Sequence, residues 1–398
     1  MTAQATVPIE IMRDGVAQPR TASATTATIP WFVWSGLVAV SSIAYGLYWD
    51  ISWHMTIGRD TFWTPAHLAI HFGGILAAFT CTYLIFSTTF GHDQSARDAS
   101  VSVWRFRGPL GAFLTAWGGV TMLASAPFDN WWHNSFGLDV EILSPPHVVL
   151  GLGILAVQIG VLVLIVAQKN RAAGALKPKL TLLFLYLAGL GLFLHSMLKS
   201  EFADANLMHS AVFYRAISIG TPTVLIAYAR GSGHRWGATI VASVYTVVML
   251  TFLWTFPMFP AHPKLGPVYT NVTHMVPMEF PLLLIVPAFA VDVVLNRFAR
   301  RGAWFQAFVA GTAFLAVLIA VQWPFGSFLV SSLARNGIFG MTNFPYQEPI
   351  SMHQLAYQFR LDSSRSIFYM GMGAAWIAAF LSTRVGLAFG SWLLRIRR

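Results

Sequence analysis

Long apolar stretches separated by short polar connections dominate the chain. A helix that crosses a bilayer needs about 20 mostly apolar residues, and ten stretches come near that length. They lie near residues 31–52, 65–90, 108–127, 145–168, 180–199, 210–229, 237–257, 277–297, 304–325 and 367–390. The pattern predicts an all-α polytopic membrane helix bundle with about ten transmembrane helices. The connection 326–366 is too polar to span, and we expect a folded exoplasmic or re-entrant segment there.

Composition and charge support a membrane protein. Only 10% of the 398 residues are charged, whereas a soluble domain carries about 25%. The net charge of +10 comes from basic clusters in every second connection and at both termini. This alternation predicts two cytoplasmic termini in a bacterial-type inner membrane, with lipid as the partner and no nucleic acid. The polar residues 1–29 contain no apolar signal segment and predict a disordered cytoplasmic tail.

The single cysteine, Cys81, excludes an intrachain disulfide and thiolate-rich zinc or iron–sulfur sites. A metal site in this chain therefore has to use other ligands, and a repeated motif of acidic residues and histidines offers them. Asp50, His54, Gly58 and Asp60 recur 79 residues later as Asp129, His133, Gly137 and Asp139, and Pro65 and His67 recur 80 residues later as Pro145 and His147. Each copy joins the end of one predicted helix to the start of the next.

The spacing predicts a metal site in each copy. Asp50 and His54 are one helical turn apart, and His67 lies just inside the next helix, so an antiparallel pair can bring all three together. Two imidazoles and one carboxylate suit copper, iron or zinc rather than magnesium or calcium. The second copy offers Asp129, His133 and His147 for a second ion.

Four further residues are candidates for positioning the ligands. Arg59 and Asp60 form a predicted orienting pair, Asp139 is the counterpart of Asp60, and His71 is a further ligand or a partner. A lone histidine near a membrane interface is more often a hydrogen-bonded structural residue. The recurrence of the whole Asp-His-His set favours metal binding, because ionisable groups within a membrane are costly and usually functional.

Aromatic residues surround the motif. They either form a dry pocket for an apolar substrate or belong to an interfacial belt, and the belt is at least as good an interpretation for most of them. These residues are Trp49, Trp53, Phe62, Trp63, Trp131 and Trp132. A separate polar group near the fifth connection could relay protons, although structural pairing is the better interpretation. Its members are Glu201, Asp204, His209 and Arg215.

The first motif resembles the C subunit of the copper-dependent membrane monooxygenases, the family of particulate methane and ammonia monooxygenases. The matching residues are Asp50, Trp53, His54, Arg59, Asp60, Pro65 and His67. The resemblance implies that Asp50, His54 and His67 bind copper and are catalytic, with one or two ions in the chain. The second copy is similar to the family's other site but has Asp129 where the family has Asn. The added charge leaves iron as an alternative metal there.

The second half resembles the A subunit of the same enzymes, at residues 279–295 and 323–330. The resemblance thus divides the chain into a C-like domain, 30–200, and an A-like domain, 205–398. It implies O2 activation and insertion of one oxygen atom into a small substrate, with electrons from a quinol or another donor. It also implies a homotrimer and a cupredoxin-like B-type partner subunit, which this chain does not contain.

Other functions are open at this point. A membrane copper-binding or copper-transport protein would use the same ligands without oxygenase activity. A non-haem iron membrane oxygenase is a second alternative, and a secondary transporter with an internal repeat is a third. The sequence does not identify the substrate, the electron donor or the metal of the second site.

Overall fold

The computed structural model describes residues 28–58, 63–137 and 144–398. Helices make up almost all of the regular structure in these ranges. In chain order they are α1 Trp31–Thr56, α2 Pro65–Phe90, α3 Gln94–Asp98, α4 Leu110–Phe136, α5 Pro145–Arg171, α6 Leu176–Met197, α7 Ala211–Ser218, α8 Thr221–Ser232, α9 Gly237–Thr255, α10 Ile285–Arg297, α11 Ala303–Val330, α12 Ile350–Ala356 and α13 Arg365–Leu393. Two short antiparallel strands, β1 Val101–Val103 and β2 Phe106–Gly108, connect α3 to α4. The predicted tail 1–29 lies almost wholly outside the described residues.

The all-α class is confirmed. Within the described ranges, nine helical segments are long and apolar enough to cross a membrane, with α7 and α8 counted together. These segments fall on nine of the ten predicted apolar stretches. The chain is therefore a multi-pass membrane helix bundle, with many large apolar side chains on its outer surface.

The predicted span 277–297 differs from the others. Its second half is α10, but residues 277–284 are not helical. Pro277 and Pro281 account for this, because proline lacks the amide hydrogen that a helix needs and disfavours the α conformation of the residue before it. The remaining helix of 13 residues is too short to cross a bilayer alone.

Close packing of α1 on α2 positions the first copy of the motif. A Cβ at Gly73 would lie 2.4 Å from the carbonyl oxygen of Ala39, and one at Gly46 would lie 2.8 Å from the backbone nitrogen of Ile70. Helices that approach so closely need small residues at the contact. The main hydrophobic core also includes residues of both predicted halves, so these halves pack against each other.

Two later segments cover the C-terminal end of α1. Lys264 N donates to Ile57 O at 2.9 Å, and Tyr346 N donates to Met55 O at 3.0 Å. The second of these segments, residues 331–364, contains α12, whereas residues 326–330 of the predicted connection belong to α11. Both segments therefore contact the end of α1 that carries Asp50 and His54.

Candidate metal centre

The repeated glycines end the two helices that carry the acidic residues. Gly58 follows α1 with φ +93°, and Gly137 follows α4 with φ +89°. Residues with a Cβ rarely adopt a positive φ, whereas glycine adopts it without steric cost. The glycine of the motif is thus structural: it stops the helix four residues after the first histidine and turns the chain back.

The repeated prolines begin the partner helices. Pro65 occupies the first position of α2, and the side chain of Thr64 caps this helix by accepting a hydrogen bond from His67 N at 3.1 Å. Ser144 and Pro145 stand at the same positions of α5. Proline suits the first turn because its missing amide hydrogen is not needed there. The cap fixes the backbone of His67 beside the end of α1.

The first copy brings its three predicted ligands together. Nε2 of His67 lies 3.1 Å from Oδ1 of Asp50, and Nε2 of His54 lies 3.6 Å from the same oxygen. One ligand atom from each residue lies within 4.8 Å of the other two. His54, at 33% side-chain exposure, is more accessible than Asp50 at 17% or His67 at 14%. The cluster is therefore closed on the Asp50 side and open on the His54 side.

This geometry fits a transition-metal ion. Bonds of about 2.0–2.2 Å to nitrogen and oxygen place ligand atoms about 3–4 Å apart, close to the separations at Asp50. Oδ1 of Asp50 is buried, and both imidazoles approach it closely enough to interact with the carboxylate. The three ligand atoms thus lie close enough together to share one metal ion, and without an ion the imidazoles pair with the carboxylate. Three protein ligands also leave coordination positions free for a reactant.

The second copy forms a similar cluster. Nε2 of His133 lies 3.1 Å from Oδ1 of Asp129, and Nε2 of His147 lies 3.6 Å from it. Nδ1 of His133 lies 3.2 Å from Gly137 O. A carbonyl oxygen only accepts, so Nδ1 carries the proton in this contact. Since two lone pairs repel, either a proton or a metal ion then lies between His133 Nε2 and the carboxylate.

His71 connects the two clusters electrostatically. It lies one turn after His67 on α2, and its imidazole interacts with His67 and with the charges of Asp129 and Asp50. The packing of the helices is consistent with this position of His71, because α2 packs against both α1 and α4. The two Asp-His-His sets therefore lie at the same end of the bundle and share one electrostatic environment.

The orienting residues and the aromatic residues predicted around the motif have different outcomes. Arg59, Asp60, Phe62 and Asp139 lie outside the described residues, so their predicted roles stay predictions. Trp63 and Trp131 are exposed, at 74% and 54%, as expected for an interfacial belt. Trp49 and Trp53 pack against the main core instead.

The polar group near the fifth connection is split between two environments. The ring of His209 stacks between Trp323, at 4.1 Å, and Phe359, at 3.7 Å between ring centres, which is a structural arrangement. Asp204 instead lines a large cavity together with Glu279. The sequence pattern does not connect Asp204 with Glu279, since 75 positions of chain separate them.

The fold and the geometry of the motif are the basis for assigning a function. No protein-family model matches the chain, and no curated protein or solved structure is significantly similar to it.

Proposed function

We propose that this chain is a membrane-bound copper-dependent monooxygenase whose catalytic metal is held by Asp50, His54 and His67. The observation that carries the proposal is the convergence of these three side chains on one point at the end of α1. Metal binding is supported by this geometry, and oxygenase activity by the resemblance of the motif to the copper monooxygenase family. A second ion at Asp129, His133 and His147 is part of the same proposal.

The donor set suits a redox-active ion. When bound, copper supplies the chemistry that activates O2 for insertion of one oxygen atom into a small substrate, while two electrons and two protons reduce the other atom to water. Asp50 offsets the positive charge of the ion in a site where unpaired charge is costly. His54 and His67 bind through neutral imidazole nitrogens. The open side at His54 is where O2 and substrate reach the site.

The setting of the enzyme is also a proposal. The motif end of the bundle faces the exoplasmic side of a bacterial-type inner membrane, as the distribution of basic connections predicts. A B-type partner subunit with a cupredoxin-like domain, and assembly as a homotrimer, follow from the resemblance alone. Electrons come from a quinol or another donor.

Two other functions share the same ligands. A copper-binding or copper-transport protein would need no O2 chemistry. An iron enzyme is favoured by one specific observation: each cluster combines two histidines with one carboxylate, and this set with open positions is typical of non-haem iron oxygenases. Metal identity and oxygen transfer therefore have to be measured separately.

Isotope labelling tests the oxygenase proposal. The purified chain, loaded in turn with copper or iron, is supplied with duroquinol, 18O2 and a substrate panel of ammonia, methane and butane. We expect 18O in a product of the copper form and at least a hundredfold less in His67→Ala. His92→Ala is the matched control, since His92 is an exposed histidine outside both motifs.

The three outcomes lead to different conclusions. Product from the copper form supports the proposal, and product from the iron form alone supports the iron alternative. Copper bound at full stoichiometry without any 18O product favours the binding or transport protein.

A further inference from the structure

An extended stretch of backbone runs into the middle of the bundle. Residues 276–284 precede α10 and lie among α1, α9 and α11. Side chains of these helices accept from the backbone amides of the stretch: Val276 N donates to Thr56 Oγ1 (2.8 Å), Met278 N to Tyr48 Oη (2.9 Å), Leu282 N to Tyr245 Oη (3.3 Å) and Leu283 N to Gln322 Oε1 (3.0 Å). At membrane depth, non-helical backbone occurs only where it is buried in protein or lines a cavity.

This stretch lines a cavity of about 940 Å³. Ile51 and Met55 of α1 form part of its wall, so it lies beside the first Asp-His-His cluster without including any of its ligands. Glu279 is exposed while the preceding Met278 is buried. Since the stretch lies among helices, the surface that Glu279 exposes belongs to the cavity. The volume is that of a small-molecule site.

Acidic groups outnumber basic groups on the wall. The acidic residues are Glu201, Asp204, Glu279 and Glu348, and the basic ones are Lys199 and Arg360. Lys199 already donates to Ile219 O and Thr221 Oγ1, and Arg360 interacts with Asp204. The carboxyl groups also repel one another, because Asp204 interacts with Glu201, Glu279 and Glu348. A cation among them would relieve this repulsion.

The rest of the wall indicates which kind of cation. Asn206 and Asn343 also line the cavity and add polar side chains to its wall. Leu192, Met249 and Phe280 supply apolar wall. This combination suits an organic cation better than a bare metal ion.

We propose that the cavity binds an organic ammonium ion, a protonated amine with a small apolar body, and that Glu279 and Asp204 hold its charged group. The carboxylates accept hydrogen bonds from the ammonium group. The apolar body lies against Leu192, Met249 and Phe280. This binding site goes beyond the proposed oxygenase and does not require metal in either Asp-His-His cluster.

The affinity depends on pH through the groups on the wall. These are Glu201, Asp204, Glu279, Glu348, His195, Lys199 and Arg360. Burial raises the pKa of Asp204 to about 6 and also raises the pKa of Glu348, whereas burial lowers the pKa of Lys199 to about 7. Raising the pH from about 5 to about 8 therefore makes the wall more negative. An alkylamine stays protonated in this range, as lysine does, so its binding strengthens with pH.

Butylammonium and butan-1-ol are the probes that test this proposal, because they have similar size and differ in charge. Binding of each to the full chain in detergent is measured by calorimetry at several pH values. We expect butylammonium to bind at least tenfold more tightly than butan-1-ol near neutral pH, and more weakly near pH 5. Glu279→Gln and Asp204→Asn should each weaken butylammonium binding at least tenfold. Asp98→Asn, an exposed change at the other end of the bundle, should not.

Controls separate this proposal from the oxygenase proposal. His67→Ala should bind butylammonium as the wild type does, and Glu279→Gln should keep the metal content and unfolding temperature of the wild type. Equal binding of butan-1-ol and butylammonium would overturn the proposal. So would full butylammonium affinity in folded Glu279→Gln and Asp204→Asn.

Discussion

Replacing Gly137 by alanine tests how the second cluster is oriented. Gly137 has φ +89° and ψ 177°, a conformation that is essentially restricted to glycine and costs other residues about 1–3 kcal/mol. An added Cβ would meet nothing within 4 Å, so the change acts through the backbone alone. Relief of the strain rotates the peptide whose carbonyl oxygen lies 3.2 Å from His133 Nδ1.

The expected result is a selective loss of metal affinity. Loss of a group that orients a ligating histidine weakens metal binding about 10- to 100-fold. At a buffered free copper concentration, the wild type should hold two ions and Gly137→Ala one, because Gly137 follows α4 and its carbonyl oxygen orients His133 of the second cluster. The ions per chain are counted by mass spectrometry after removal of free metal.

A second glycine controls for backbone strain. Gly174 also has positive φ, +56°, with nothing within 4 Å of an added Cβ, and it lies in the connection between α5 and α6. Gly174→Ala should therefore keep both ions. The reasoning is refuted if Gly137→Ala binds the second ion as tightly as the wild type and Gly174→Ala do.

Two further predictions concern stability. Asp292→Ala should lower the free energy of unfolding by about 2–4 kcal/mol, because its carboxylate accepts three hydrogen bonds from Ala238 and Thr239 at 2.7–3.1 Å. Thermal unfolding in detergent measures this, and the exposed change Asp98→Ala should have no such effect. Removal of metal with a chelator should lower the unfolding temperature of the wild type, by the equivalent of about 2.7 kcal/mol where the metal was at 100 times its Kd. The decrease should be smaller in His67→Ala, and an equal decrease in both would contradict binding at the first cluster.

Most of the bundle could be predicted from the sequence, because each membrane crossing is encoded locally. The apolar stretch 65–90 coincides with α2, since Thr64 and Pro65 mark its start. The stretch 277–297 could not be predicted as well. Its prolines were visible, but the acceptors that stabilise an extended backbone there, such as Tyr48 and Gln322, come from distant helices.

The ligands of the first candidate metal site could also be predicted from the sequence, because their arrangement is encoded locally. Asp50 and His54 share a helix face, and His67 begins the adjacent helix, so local spacing brings the three together. The relation of the two clusters through His71 depends on how α2 packs against α1 and α4. The cavity around Glu279 depends on contacts between segments far apart in the chain, and no local pattern encodes it.

Metal content combined with electron paramagnetic resonance shows whether Asp50, His54 and His67 hold a copper ion. Purified wild type, His54→Ala and His67→Ala are loaded with copper under identical conditions, with His92→Ala as the control. We expect each variant of the first cluster to lose one ion per chain, and with it a Cu(II) signal that shows coupling to imidazole nitrogen, while His92→Ala keeps both ions. Full copper stoichiometry and an unchanged signal in both His54→Ala and His67→Ala would contradict this expectation.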